Sequence, residues 1–251
     1  MEYFVEKDSV VRRIWGKGDT ILFIFAGASG EFALNKAVDW LYFTGRLPAD
    51  PLGRLFSTVS YARRIVFAPM EEALQTIDRI TAIHEGVEKA RGARIPDWAY
   101  RDVLFMLIHY SISSYELLEQ KLTESEKQDV YEVFYRMGTR MNLKDLPPTY
   151  IAWLPVRDQH LRDDLRKSGY TIDLYRQYRK HLGPLRYRLL REGQLLVCPR
   201  RVIDLLSLGR FSLITPILGL YKFSRKLKLD WFLKSLVLPN EYKKQIKDLD
   251  V

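Results

Sequence analysis

The residue best placed for chemistry is His84, in the run Gln75-Thr76-Ile77-Asp78-Arg79-Ile80-Thr81-Ala82-Ile83-His84-Glu85-Gly86-Val87. Ile77, Ile80 and Thr81 precede it by seven, four and three positions and Val87 follows three later, so at helical periodicity the imidazole joins an inward-facing apolar stripe. A neutral imidazole in an apolar wall can ligate a metal or a haem iron. Its other use is as a core histidine hydrogen-bonded to a carbonyl.

Upstream, Ala49-Asp50-Pro51-Leu52-Gly53-Arg54-Leu55-Phe56-Ser57-Thr58-Val59-Ser60-Tyr61 reads as a helix. Asp50 can cap it, and Pro51 suits the first helical position, where a missing amide proton costs nothing. Arg54, Ser57 or Thr58, and Tyr61 then fall along one face, beside an apolar stripe of Leu55, Val59 and Ala62. A cation and hydroxyls beside an apolar row suit a haem propionate or a distal pocket; an exposed, capped polar face has the same pattern.

Other constellations carry less. His84-Glu85-Gly86-Val87-Glu88 has glutamate where the zinc-protease helix needs its second histidine. The Glu-x-x-His pairs of di-iron bundles are missing. Ala26-Gly27-Ala28-Ser29-Gly30 lacks the Lys-Ser or Lys-Thr pair of a phosphate loop, so its small residues suit close contact with a helix or a flat cofactor. His109 shares a stripe with Phe105 and Ile112 and ranks second as a pocket residue, whereas His160 and His181 fall among charged residues and are expected to be exposed. Cys198 is the single cysteine, which excludes an intrachain disulfide and Cys-rich zinc sites. Its thiolate is an alternative axial ligand, set against a buried, inert thiol.

The helix from Asp50 and the His84 helix are joined by Val66-Phe67-Ala68-Pro69-Met70-Glu71-Glu72-Ala73. They are followed by Ile108-His109-Tyr110-Ser111, Leu122-Thr123-Glu124-Ser125-Glu126 and Leu146-Pro147-Pro148-Thr149-Tyr150. In order and spacing this string resembles the oxygenase family of the fungal MpaB-type enzymes and the bacterial latex-clearing protein, most strongly over residues 20–165. The resemblance implies a helical domain with a globin-like core, haem b as cofactor and O2 as co-substrate. It also implies an apolar, unsaturated substrate of isoprenoid or lipid type. It maps the iron ligand to His84 and the upstream arginine and threonine to Arg54 and Thr58. Ser57 stands where the latex enzyme has a lysine able to occupy the distal iron position, so the sixth site is expected to be open or held by water, and the reaction to differ from polyisoprene cleavage. On this reading Arg54 places positive charge near a propionate or the oxygen, Thr58 donates a hydrogen bond on the distal side, and Arg54, Thr58 and His109 line the cofactor. The competing reading is a non-catalytic helical haem or lipid carrier or sensor.

The elements that must position these residues are helical almost throughout. Thr20 to Leu34 reads as a buried helix too short to cross a bilayer; Asp97 can cap a helix to about Gln120, and Thr123-Glu124-Ser125-Glu126 opens another with a capping box, reaching about Met141. Thr149 can cap a helix to about Lys167, bent near Pro155, and Tyr170 to Leu182 forms one more before Gly183-Pro184. No run alternates like a strand, so the expectation is all-α, with residues 1–251 as one helical domain ending in a basic part at 166–251.

With 251 residues, 47% of them hydrophobic, the chain can bury a large core. Its charge is uneven: residues 1–156 hold 19 Lys+Arg against 21 Asp+Glu, whereas 157–251 hold 21 against 10. Between Leu208 and Leu238, apolar groups alternate with Arg210, Lys222, Arg225, Lys226, Lys228 and Lys234, beside Tyr221, Trp231 and Phe232. That pattern suits a solvated helix face or peripheral contact with an anionic membrane, and nucleic acid less, since no nucleic-acid motif accompanies it. Met1-Glu2-Tyr3-Phe4-Val5 lacks the basic-then-apolar order of a secretory signal, so a cytoplasmic, reducing setting is expected.

Overall fold

The computed structural model describes residues 2–45, 49–216, 218–219 and 221. Among them the chain is all-α: ten helices, no sheet, and two isolated bridges, Tyr3 with Pro69 and Asn35 with Leu165. The helices are α1 (Val10–Trp15), α2 (Gly18–Phe32), α3 (Asp39–Phe43), α4 (Pro51–Phe67), α5 (Met70–Arg91), α6 (Asp97–Leu118), α7 (Glu124–Arg140), α8 (Tyr150–Asp163), α9 (Gly169–Val197) and α10 (Arg200–Leu206).

Local chemistry sets most of their ends. The Asp50 carboxylate accepts from the Gly53 amide at 2.8 Å, with Pro51 opening α4. Thr123 and Glu126 form the reciprocal capping box of α7, and the Thr149 hydroxyl caps α8. At α6 the structure corrects the expectation: Pro96 occupies the cap, and Asp97 is the first helical residue, where its charge faces the positive helix end. α5 stops at Gly92, whose φ of 70° is left-handed. The turn expected after Leu182 is a break inside α9, where Gly183 takes a φ of 71° and Pro184 restarts the helix. Pro155 lies inside α8 on its exposed side.

The apolar run of α2 sits at the centre, against α6 and α9. Trp15, Phe105, Tyr110, Tyr131 and Trp153 are sealed in one core that also takes in residues of α1, α4, α5, α7 and α10. Gly27 makes the α2–α6 approach possible, because a Cβ there would lie 2.2 Å from ring carbons of Tyr110. The small residues of α2 thus serve helix contact at this position. Among the described residues no helix is long and apolar enough to cross a membrane. Most of the basic stretch 208–238, with Lys222, Arg225, Lys226, Lys228, Trp231, Phe232 and Lys234, lies outside the described residues; Tyr221 is described, and its hydroxyl donates to Asp19 at 3.2 Å.

Candidate functional site

α4 and α5 pack side by side and bring four of the five expected site residues to one region. On α4 the Arg54 guanidinium donates from Nη1 to the Ser57 and Thr58 hydroxyls, each at 3.2 Å. Both hydroxyls in turn donate to the Arg54 carbonyl, at 2.8 and 3.2 Å. One helical turn therefore holds a cation and two hydroxyls in a fixed mutual arrangement, as the three- and four-residue spacing requires.

His84 on α5 is half-buried, its ring edge-on to Tyr100 of α6 with centroids 5.2 Å apart. Tyr100 is itself held by Glu88, whose Oε1 accepts from the tyrosine hydroxyl at 3.1 Å and from the Ile95 amide at 2.8 Å. The Nδ1 atom of His84 is shielded from solvent and has no hydrogen-bond partner. Burial pushes the ring down to about 4; the Arg54 charge acts in the same direction, and Glu88 opposes them. At neutral pH the ring is an uncharged imidazole with an unused buried nitrogen, within electrostatic reach of the Arg54 guanidinium. That donor set fits a haem group, which asks for a neutral nitrogen ligand and a cation for its propionates.

His109 occupies a different neighbourhood. The Val197 carbonyl accepts a hydrogen bond from its ring, while Nε2 is shielded and without a partner. Burial and then the Arg157 charge push it down to about 4, against Glu31. None of these partners is shared with His84, so His109 belongs with a second, buried polar cluster.

That cluster centres on Glu31, the one carboxylate between Thr20 and Leu34. Arg157 grips it with two nitrogens at 2.5 and 2.6 Å, the Tyr110 hydroxyl donates to it at 2.8 Å, and His160 Nε2 lies 2.9 Å away. Burial works to raise the Glu31 carboxyl, yet the Arg157 charge and the His160 and Arg157 hydrogen bonds hold it well below the ordinary range. The other nitrogen of His160 faces Asp102 Oδ1 at 2.5 Å and Asp164 Oδ2 at 3.4 Å, and Asn35 donates to Asp102 Oδ2 at 2.8 Å.

The exposed placement expected for His160 is wrong: it is 4% exposed, whereas His181 does face solvent. Asp158, Gln159 and Arg162 point outward, but His160 follows Trp153 and Arg157 by seven and three positions on the inward face of α8. Trp153-x-x-x-Arg157-x-x-His160 was the readable signal, together with a glutamate inside an apolar helix. Cys198 is buried beside Tyr110, and burial pushes its thiol up to about 12, which leaves it protonated and a poor ligand.

A family model described as "ER-bound oxygenase mpaB/B'/Rubber oxygenase, catalytic domain" matches residues 12–216, a span that holds both the α4–α5 face and the Glu31 cluster. No curated protein and no solved structure gives a match.

Proposed function

Because this chain belongs to the family of mpaB/B′ oxygenase and rubber oxygenase catalytic domains, we propose that it is a haem b-dependent oxygenase. Its co-substrate is O2, and its substrate an apolar, unsaturated molecule of the isoprenoid or lipid class. The observation that supports the cofactor is His84, with its neutral ring and unpartnered, shielded Nδ1. A buried polar atom left unsatisfied costs about 1–3 kcal/mol, and a bond from that Nδ1 to iron would offset the cost.

In this reading His84 would hold the iron, Arg54 would pair with a propionate or supply positive charge near bound oxygen, and Thr58 would offer its hydroxyl as a donor in the same pocket. Bound haem supplies oxygen activation, and the protein supplies orientation and a fixed electrostatic field. Ser57 does not compete for the iron as an amine would, and its hydroxyl instead braces Arg54. Tyr100, fixed by Glu88, holds the His84 ring plane. The family description names rubber, an unsaturated hydrocarbon, which supports an apolar substrate. The basic, aromatic stretch 208–238 supports peripheral contact with an anionic membrane, through which such substrates are met.

The test is an absorption spectrum with iron analysis of protein expressed with added haem precursor, beside His84→Ala. A Soret band with about one iron per chain, lost in the variant while the helical circular dichroism persists, is the expected result. An undiminished Soret band in His84→Ala rejects this ligand. Haem binding without O2 uptake on any isoprenoid or unsaturated lipid indicates a carrier.

A further inference from the structure

We propose that Asp102, His160 and Asp164 form a binding site for one divalent transition-metal ion, of the zinc or manganese class, that ties α6 to α8. This site is separate from the His84 face and does not depend on the haem reading. Each of the three residues offers one ligand atom, and these atoms lie within 4.8 Å of one another. His160 Nδ1 stands 2.5 Å from Asp102 Oδ1 and 3.4 Å from Asp164 Oδ2. A tetrahedral ion with bonds of about 2.0–2.2 Å keeps neighbouring ligand atoms about 3.3–3.6 Å apart. Asp164 already stands at that spacing from His160 Nδ1, whereas Asp102 Oδ1, in hydrogen-bond contact with it, has to turn away by about 1 Å to share an ion.

The surroundings are those of a ligand set already oriented. His160 Nε2 faces Glu31 Oε1 at 2.9 Å, and Glu31 is itself clamped by Arg157 and Tyr110. A carboxylate on the far nitrogen fixes the ring and selects the tautomer that leaves Nδ1 for a metal. Asn35 does the equivalent for Asp102, engaging Oδ2 and leaving Oδ1 turned to His160.

Charge supports the same conclusion. Arg157 and a protonated His160 leave one net negative charge among Glu31, Asp102 and Asp164, and a metal that displaces the His160 proton faces two. A divalent ion cancels the remainder, and uncompensated charge at this depth is costly. Asp102 and His160 are 2% and 4% exposed, so an ion arrives past Asp164, whose side chain is 25% exposed. Water can fill a remaining coordination position on that rim. One imidazole and two carboxylates favour zinc or manganese over copper(I) or an iron–sulfur cluster, which want thiolates.

The experiment uses the full chain, stripped with EDTA and then dialysed against zinc or manganese, or titrated with cobalt(II) as an optical probe. About one ion per chain, a visible ligand-field band with cobalt, and a higher melting temperature with the ion are expected. Asp164→Asn, at the rim and outside the core, should keep the circular dichroism of the parent and bind cobalt at least about 10-fold more weakly; His160→Gln should remove the site. His84→Ala should leave the cobalt stoichiometry unchanged, which separates this site from the haem ligand. No cobalt band and no retained zinc or manganese in the parent protein would overturn the proposal, as would undiminished binding in Asp164→Asn.

Discussion

Arg157 lays its guanidinium on Glu31 as a two-pronged pair, Nη1 to Oε1 at 2.5 Å and Nη2 to Oε2 at 2.6 Å, and the two side chains are 4% and 0% exposed. The pair joins α8 to α2 through the middle of the core. Its Coulomb gain is set against the desolvation of both ions, so removing one partner leaves the other a buried charge without its counter-ion. Arg157→Met should cost about 3–5 kcal/mol in urea unfolding, and the double variant Glu31→Leu/Arg157→Met should lose less than the sum of the two single changes. A single-variant loss under about 1 kcal/mol would show that the pair contributes far less than buried ion pairs of this geometry do.

The buried histidines set opposite pH limits on stability in metal-free protein. His160 is raised from 6.5 to about 9: burial opposes its charge, but the hydrogen bonds it donates to Asp102 and Glu31 prevail. A group raised on folding gives stability that is complete below its unfolded value and is lost as pH climbs through the folded one. The loss therefore falls between about pH 6.5 and 9 and is on the order of 3 kcal/mol. His84 and His109 are lowered from 6.5 to about 4, so the unfolded chain takes up more protons and stability falls as pH drops from 6.5 toward 4. Urea midpoints across this range should peak near the shared value of 6.5, and His160→Gln should flatten the alkaline side.

How far the sequence carried can be judged from these same residues. The caps at Asp50, Thr123 and Thr149 and the break at Gly183 were readable because each is decided within four residues. The Arg54, Ser57 and Thr58 arrangement was readable for the same reason, being one turn of helix. His160 was misplaced because its sequence neighbours are charged, while the groups that bury it, Glu31 and Asp102, come from helices 129 and 58 positions earlier. No local period records such partners, and only the Trp153, Arg157 and His160 register on α8 hinted at them. Among the described residues, the partners found for His109 are those of the Glu31 cluster, which its stripe with Phe105 and Ile112 did not reveal.

Gly27 is a second place where one atom decides the packing. A Cβ at this position would sit 2.2 Å from two ring carbons of Tyr110, whose hydroxyl is bonded to Glu31. The ring cannot retreat without giving up that bond. Gly27→Ala should cost about 1–3 kcal/mol by overpacking, despite alanine's better helix propensity. Unfolding measurements on Gly27→Ala with and without Tyr110→Phe check this: if the strain arises through the ring's tether to Glu31, the two changes should be non-additive.

Arg54 adds to the burial that keeps His84 unprotonated, acting from the neighbouring helix. Burial is the larger cause of the low histidine value and the guanidinium the second, while Glu88 pulls the other way. Arg54→Gln keeps a polar side chain within reach of the Ser57 and Thr58 hydroxyls but removes the charge, so the His84 ring should titrate at higher pH, above about 4 and still below its ordinary 6.5. Glu88→Gln should shift it the opposite way and also release the Tyr100 hydroxyl from a charged acceptor. Histidine C–H chemical shifts followed through a pH titration of both variants read this directly. Equal His84 values in parent and Arg54→Gln would mean that the guanidinium does not act on the ring, and the α4 face would then lose its electrostatic claim on the His84 site.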